Sequence, residues 1–281
     1  MTFEFAKMHG AGNDFVAVLD PDAAFPLDDP ALVRRMNAPH VGIVSEGMLV
    51  LRRPAPGEGA DVRMVFFNPD GSRASMCGNG ARCAAFLARR AGWAPARLRL
   101  ATDAGTMDAE VLDDDGSGPT ARVRIALSPP SGRRPRVRPD GAAFDYFAVD
   151  TGVPHAVAFV DGLDAVDVRR EGALVRHSAA FAPAGTNVDF VRVDGPRALS
   201  VRTYERGVED ETAACGTGSV AAAVAAVETG RCAPPVDVRV AFGDVLRVEG
   251  RVDADGRFGD LLLVGPARFV CRGVLDLAAF A

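Results

Sequence analysis

At 281 residues the chain exceeds the usual single-domain size of ~100–200 residues, so two domains are expected. Apolar side chains at 48% and charged ones at 25% match a globular protein with a sizeable core and exclude a disordered or fibrous chain. A formal charge of −5 leaves no basic surplus to pair phosphates, which argues against nucleic-acid and anionic-membrane partners.

The opening MTFEFAKMHG lacks the basic-then-apolar pattern of a signal peptide, and no apolar run approaches the ~18–20 residues of a membrane span. The expected location is therefore the cytoplasm. FEFAKMHG and DFVAVLD read as strands joined by small turn residues, and ALVRRMNA as a short helix. GMLVLRRP and DVRMVFF read as strands, and GARCAAFLARRAG as a helix ended by Gly92. Strand-like RLRLATDAG, MDAEVLD and ARVRIAL follow. SPPSGRRPRVRPDG (128–141), rich in Pro, Gly and Arg, reads as a solvated linker.

Beyond the linker the pattern begins again. GNDFVAV (12–18) aligns with GVPHAVA (152–158), VFFNPDG (65–71) loosely with RTYERGV (202–208), and CGNGARCAA (77–85) with CGTGSVAAA (215–223). The offsets are 140, 137 and 138 residues, which points to a duplicated unit.

Five sparse cysteines, an odd number, do not make a disulfide scaffold. Cys83, Cys232 and Cys271 read as small core hydrophobes. Cys77 and Cys215 differ, because each stands before a Gly-x-Gly at the start of a helical run. The first turn of a helix has N–H groups without intrahelical partners and a partial positive charge, which stabilises anions. A thiol there can have its pKa lowered from ~8.5 towards roughly 3.5–7.5. The bare glycines let a ligand approach the amides. Two such thiols on opposite faces of one carbon bearing a carboxylate suit inversion of that carbon. One thiolate removes the Cα proton, the other thiol returns one, and the amides steady the carboxylate as charge develops. A zinc site is not expected, since Cys77 and Cys83 are six apart, Cys215 and Cys232 seventeen apart, and no Cys-x-x-Cys occurs. GAGND lacks the third glycine of a dinucleotide fingerprint.

KMHGAGNDFV, FFNPDGSRASMCGNGARC, GVPHAV, GTNVDFV and TYERGVEDETAACGTGS resemble, in order and spacing from residue 7 to residue 219, the signature blocks of the diaminopimelate epimerase family. The resemblance implies an isomerase without cofactor or metal that interconverts LL- and meso-diaminopimelate in lysine and peptidoglycan-precursor biosynthesis. It implies a small-molecule substrate, a homodimer, a cytoplasmic location and no nucleic-acid or membrane partner. The implied fold is α/β (α+β mixed), with two pseudo-symmetric domains, each a curved mixed β-sheet around a central helix. The first spans 1–127 and the second 128–266, with the tail 267–281 free to return to the first.

Carried over by motif, Cys77 and Cys215 are the acid–base pair, and Gly78, Asn79, Gly216 and Thr217 offer amides to the α-carboxylate. His155 and Glu205 orient the substrate or tune the thiols. Asn13, Asn68, Asn187 and Arg206 hold the substrate, for which a fixed guanidinium and amides that both donate and accept are suited. Val153 replaces an asparagine common in the family, and GIVSEG (42–47) stands where the family has GxGADG, placing Val44 for glycine and Glu46 for aspartate. These departures bear on substrate selectivity, so the alternative is a racemase or epimerase of another amino acid on the same two-thiol site. A non-catalytic amino-acid-binding relative would be marked by loss of either cysteine, and a cysteine hydrolase using His155 leaves the second cysteine without a role.

Overall fold

The computed structural model describes residues 1–280. The chain forms two compact units: Met1–Ile125 with the stretch from Gly265 onward, and Ala126–Val264. In the first, β1 (Thr2–Gly10) buries Ala6 and Met8 and leaves Lys7 and His9 half-buried. It pairs with β2 (Asn13–Leu19) across the two residues Ala11 and Gly12, whose φ values of 57° and 92° make the left-handed turn that two-residue hairpins favour. The helix α1 (Pro30–Met36) starts at Asp29, whose carboxylate accepts the Leu32 N–H at 2.8 Å. It leads to β3 (Met48–Arg52), parallel to β2. Next come β4 (Val62–Phe67), the short β5 (Arg73–Ala74) and the helix α2 (Gly78–Arg90). Gly92, at φ 69°, ends that helix, its N–H returning to the Arg89 carbonyl. β6 (Arg97–Thr102) lies parallel to β4, and β7 (Gly105–Val111) and β8 (Thr120–Ala126) follow in antiparallel pairing.

The second unit repeats this order. β9 (Ser131–Val137) and β10 (Tyr146–Asp150) lead into β11 (Pro154–Phe159), and α3 (Val168–Arg176) crosses to β12 (Asn187–Gly195), parallel to β11. β13 (Ala198–Glu205), the short β14 (Asp210–Thr212) and the helix α4 (Gly216–Glu228) match β4, β5 and α2. β15 (Val236–Arg239), parallel to β13, then β16 (Val245–Val252) and β17 (Phe258–Asp276) close the series. The later residues of β17 belong to the first unit, where they pair with β1.

In each unit a mixed sheet wraps a central helix. Eleven of the thirteen residues of α2 are buried, against β1–β4, β6 and β7. Ten of the thirteen in α4 are buried, against β10–β13, β15 and β16. The Ala, Gly and Val side chains of α4 carry no polar face, as suits a helix enclosed on all sides. The other helices cover the outer faces: Leu32, Val33 and Met36 of α1 pack on Val16, Val50 and Val65, and Val168 and Val175 of α3 on Ala156 and Phe190. No helix among the described residues is long and apolar enough to cross a membrane.

Two expectations are corrected. SPPSGRRPRVRPDG is not simply loop, because Ser131–Val137 forms β9 on β10, with register shifts on either side of Ala148. Its mostly solvated side chains hide the alternation that marks a half-buried strand. Arg133 instead anchors it, donating at 2.9 Å to Glu228 at the end of α4, a carboxylate that the helix dipole would otherwise disfavour there. Cys271, read as a core residue, is exposed. Between the pairs Lys7↔Cys271 and Met8↔Phe269, Val270 is an extra residue, and this bulge sends Val270 and Cys271 to solvent in succession.

Phe86, wholly buried in α2, packs against Phe269 of β17 with ring centroids 4.9 Å apart and the rings tilted by 52°. Phe86→Ala is expected to cost about 3–5 kcal/mol in urea unfolding at unchanged m-value. A loss below about 1 kcal/mol would show that this contact does not hold the helix in its sheet.

Candidate active site

Each central helix begins at a cysteine. In the first unit Cys77 is extended (φ −140°, ψ 121°), and its sulfur accepts the Gly80 N–H at 3.5 Å, capping α2. The thiol also faces the side-chain carbonyl of Asn13, 3.7 Å away. The Ala11–Gly12 turn delivers Asn13 to this point as the first residue of β2. The same Asn13 oxygen accepts from Asn79 Nδ2 at 3.2 Å, while Asn79 Oδ1 accepts from the buried guanidinium of Arg82 at 2.7 Å. Asn13 Nδ2 in turn donates to Glu46. Cys77, Asn13 and Asn79 thus stand together, with each amide's orientation set by Arg82 on one side and Glu46 on the other. Gly78 and Asn79 supply first-turn N–H groups that no carbonyl of the helix can take. Asn68, at the end of β4, is instead bonded into its own turn, donating to Ser72 Oγ at 3.0 Å.

In the second unit Cys215 is likewise extended (φ −110°, ψ 112°) and accepts the Gly218 N–H at 3.4 Å. Around it the side chains are of a different kind. Thr217 Oγ1 lies 3.4 Å from the sulfur and 3.0 Å from His155 Nε2. His155, on β11, is buried, and its Nδ1 is 2.7 Å from the carboxylate of Asp189 on β12. Asp189 also accepts the Thr203 hydroxyl at 2.7 Å. Asn187 lies beside the imidazole, with Nδ2 at 3.5 Å from Nε2 and 3.1 Å from the Pro154 carbonyl, and its Oδ1 accepts the Arg206 N–H at 2.8 Å. Glu205, at the end of β13, accepts the Thr212 hydroxyl. Gly216 opens the helix. Cys215, Thr217, His155, Asn187 and Arg206 therefore form one hydrogen-bonded cluster.

The chemistry of Cys215 departs from the simple helix-start expectation. Burial pushes its thiol well above the ordinary range, and the negative charges of Glu205 and Asp189 push it further. The Thr217 hydroxyl and Gly218 N–H act in the opposite sense and do not prevail. Desolvation of a nearly enclosed sulfur outweighs two weak hydrogen bonds. Cys83, wholly enclosed in α2, is pushed up to about 12 by burial. Among the described residues no three His, Cys, Asp or Glu side chains are grouped as metal ligands.

A family model described as diaminopimelate epimerase matches residues 5–125 and 147–268. The chain belongs to the diaminopimelate epimerase family. It is 41% identical over 273 residues to the diaminopimelate epimerase of Chlorobaculum tepidum, covering 96% of this chain and 100% of that protein. To that of Archaeoglobus fulgidus it is 39% identical over 290 residues, covering 99% and 98%. Among solved structures, a PhzF-family phenazine biosynthesis protein of Bacillus anthracis superposes with a TM-score of 0.74 at 14% identity, covering 98% of this chain and 99% of that one. A probable proline racemase of Agrobacterium radiobacter K84 gives 0.70 at 17% identity, covering 98% and 92%. At these identities the likeness is one of fold.

Sequence reasoning passed over Asp189, Thr203, Arg82 and Glu46 as neighbours of the two cysteines. Asp189 carried a readable signal, since a carboxylate between Val188 and Phe190 in an apolar strand is rarely buried without a partner. Glu46 was visible as a departure from the family pattern, without its contact to Asn13. The other departure, Val44, has φ 45°, a conformation that costs a β-branched residue roughly 1–2 kcal/mol. Lys7 holds this loop to the first hairpin, donating to the Val44 carbonyl and pairing with Asp14.

Two outcomes follow for the thiols and the loop. In native, reduced protein at pH 7, iodoacetamide should label exposed Cys271 ahead of Cys215 and Cys83, read by peptide mass spectrometry. Because the raised Cys215 keeps its proton to higher pH, its labelling should still be climbing past pH ~9, where an ordinary thiol of pKa ~8.5 is levelling off. A plateau below that pH would contradict the role of burial. Val44→Gly relieves the left-handed strain but adds unfolded-state freedom, so a net gain of roughly 0.5–1 kcal/mol is expected in chemical denaturation. A loss of stability would show that the Val44 side chain, not its backbone, matters to the loop.

Proposed function

We propose that this protein interconverts LL- and meso-diaminopimelate by proton removal and return at one α-carbon, using the thiols of Cys77 and Cys215 and no cofactor. The observation that carries the reading is the pair of cysteine caps, one at the start of each repeated central helix in a chain of this family. An α-proton is released only if the negative charge passing to the adjacent carboxylate is stabilised. The first-turn amides of Gly78, Asn79, Gly216 and Thr217 serve that purpose.

One thiolate takes the α-proton while the other thiol supplies its own to the opposite face. Burial keeps Cys215 protonated at rest, which makes it the donor in one direction, and the reverse reaction exchanges the roles. His155 and Glu205 set the proton affinity around Cys215. Asn13, Asn68, Asn187 and Arg206 hold the substrate, with the Arg206 guanidinium suited to its distal carboxylate. The same reading makes the protein a cytoplasmic homodimer with a small-molecule substrate and no nucleic-acid partner, in keeping with its charge of −5.

The test is reduced protein with LL-diaminopimelate in deuterium oxide, followed by NMR and chiral chromatography. Wild type should yield meso product carrying deuterium at one α-carbon. Cys77→Ala and Cys215→Ala should each lose roughly 10²–10⁴-fold in rate. Full activity in either variant, or no turnover by folded and reduced wild type, would overturn the reading.

A further inference from the structure

Cys215 presents a difficulty that its cap does not solve. A thiol held protonated by burial can act as a base only if its proton has somewhere to go. The side chains beyond it form a continuous path: Sγ to Thr217 Oγ1 at 3.4 Å, Oγ1 to His155 Nε2 at 3.0 Å, and His155 Nδ1 to Asp189 Oδ2 at 2.7 Å. His155 and Asp189 are both buried.

We propose that Asp189 is a positioning residue for the epimerase reaction, holding His155 with its proton on Nδ1 so that Nε2 receives the Cys215 proton through the Thr217 hydroxyl. The proposal rests on the two-thiol reading above. A carboxylate oxygen can only accept, so the proton between Asp189 and His155 is carried by Nδ1, and Nε2 is left as an acceptor. The surroundings agree with this assignment. Nε2 faces two groups able to donate, the Thr217 hydroxyl and Asn187 Nδ2. When Thr217 donates to Nε2, its oxygen is free to accept from the Cys215 thiol.

The transfer balances. The S–H proton passes to Thr217 Oγ1 as the Thr217 hydroxyl proton passes to Nε2, leaving a thiolate, an intact hydroxyl and an imidazolium paired with Asp189. No net charge is created in the buried cluster. The charged groups bearing on Cys215 are Glu205 and Asp189, both acidic, and Asp189 pairs directly with the His155 ring that receives the proton.

Asp189 itself is held for the task. Thr203 donates to its other oxygen at 2.7 Å, fixing the carboxylate plane. The Thr151 hydroxyl donates to the Thr217 backbone carbonyl at 3.0 Å, fixing the intermediate residue. The helix start also leaves room for the carboxylate, since a Cβ on Gly218 would lie 2.4 Å from Asp189 Oδ1. Glycine at this position therefore does more than bare the backbone for a ligand.

The experiment combines kinetics with histidine NMR on the full chain. In protein labelled with ¹⁵N-histidine, one of the four histidines should show a protonated Nδ1 and a bare Nε2, the less common tautomer in water, and Asp189→Asn should abolish that signature. Asp189→Asn should lower kcat on LL-diaminopimelate by roughly 10²–10⁴-fold with KM held within about threefold. Thr217→Ser should keep most of the activity and Thr217→Val lose it. The proposal is overturned if wild type shows no histidine in that tautomer, a result that does not depend on how any variant folds. It is overturned equally if folded Asp189→Asn turns over within about threefold of wild type. Wild type inactive on diaminopimelate would instead overturn the functional reading, and the histidine spectrum would still decide whether Asp189 sets the tautomer.

Discussion

The first turn of a buried helix cannot be left without partners, and much of this structure is a response to that constraint. Both α2 and α4 are enclosed along most of their length by their sheets, and the first-turn N–H groups at their starts have no intrahelical carbonyl to take them. A cysteine is a weak acceptor for this purpose, and its sulfur takes the Gly80 amide in one unit and the Gly218 amide in the other. An ordinary Ser or Asp cap would hold the amides better. A weak cap suits a helix start whose first-turn amides are proposed to serve an anion, and it puts a titratable sulfur at the edge of that positive end.

The same constraint explains the composition of the helices. A sheet that wraps closely needs a slender axis, and the Ala and Val run of α4 provides one without a polar face. Glycine at Gly218 extends the economy of volume to the helix start, where a carboxylate sits against the backbone. Here a residue usually explained by backbone freedom is explained by proximity. Asp189 and the helix start compete for the same few cubic ångströms, and only the absence of a Cβ lets both remain.

The legible parts of this sequence were those whose signals are local or repeated. Apolar patterning marked seven strands of the first unit, β1–β4 and β6–β8, and Gly92 marked the end of α2 at a position whose φ is 69°. The repeat of Cys-Gly-x-Gly drew attention to two helix starts, though the strand-by-strand repetition around them lay beyond loose alignments such as VFFNPDG with RTYERGV. What stayed illegible was set by three-dimensional context. β9 is a strand whose side chains are mostly solvated, so no apolar period announced it. Cys271 depends on a bulge that breaks alternation in a single residue. The raised Cys215 depends on how completely the sulfur is covered, which a helix-start argument does not contain. Asp189 was printed in the motif GTNVDFV beside the Asn187 that was noticed, yet its importance comes from the strand next to it, where parallel pairing sets His155 against Asn187 and Val157 against Asp189.

The two halves share a backbone plan but not an electrostatic one, and this difference is what a duplicated scaffold makes possible. Around Cys77 the neighbours are amides, Asn13 and Asn79, held in orientation by Arg82 and Glu46 at their far sides. Amides orient and donate, but they do not exchange protons near neutral pH. Around Cys215 the neighbours include an imidazole and carboxylates, groups with protons to take up and release. Identical surroundings would give two sulfurs of equal proton affinity, with nothing to decide which begins as acid. Unequal surroundings break that degeneracy while the repeated helix starts keep the two amide sets alike. The proposed inversion calls for both properties at once: amides at each cysteine to stabilise the carboxylate, and surroundings different enough for a proton to be placed on one thiol and recovered from the other. In the proposed reaction the repeated helix starts serve the first, and the differing side chains serve the second: Asn13, Glu46, Asn79 and Arg82 near Cys77, and His155, Asp189, Thr203, Glu205 and Thr217 near Cys215.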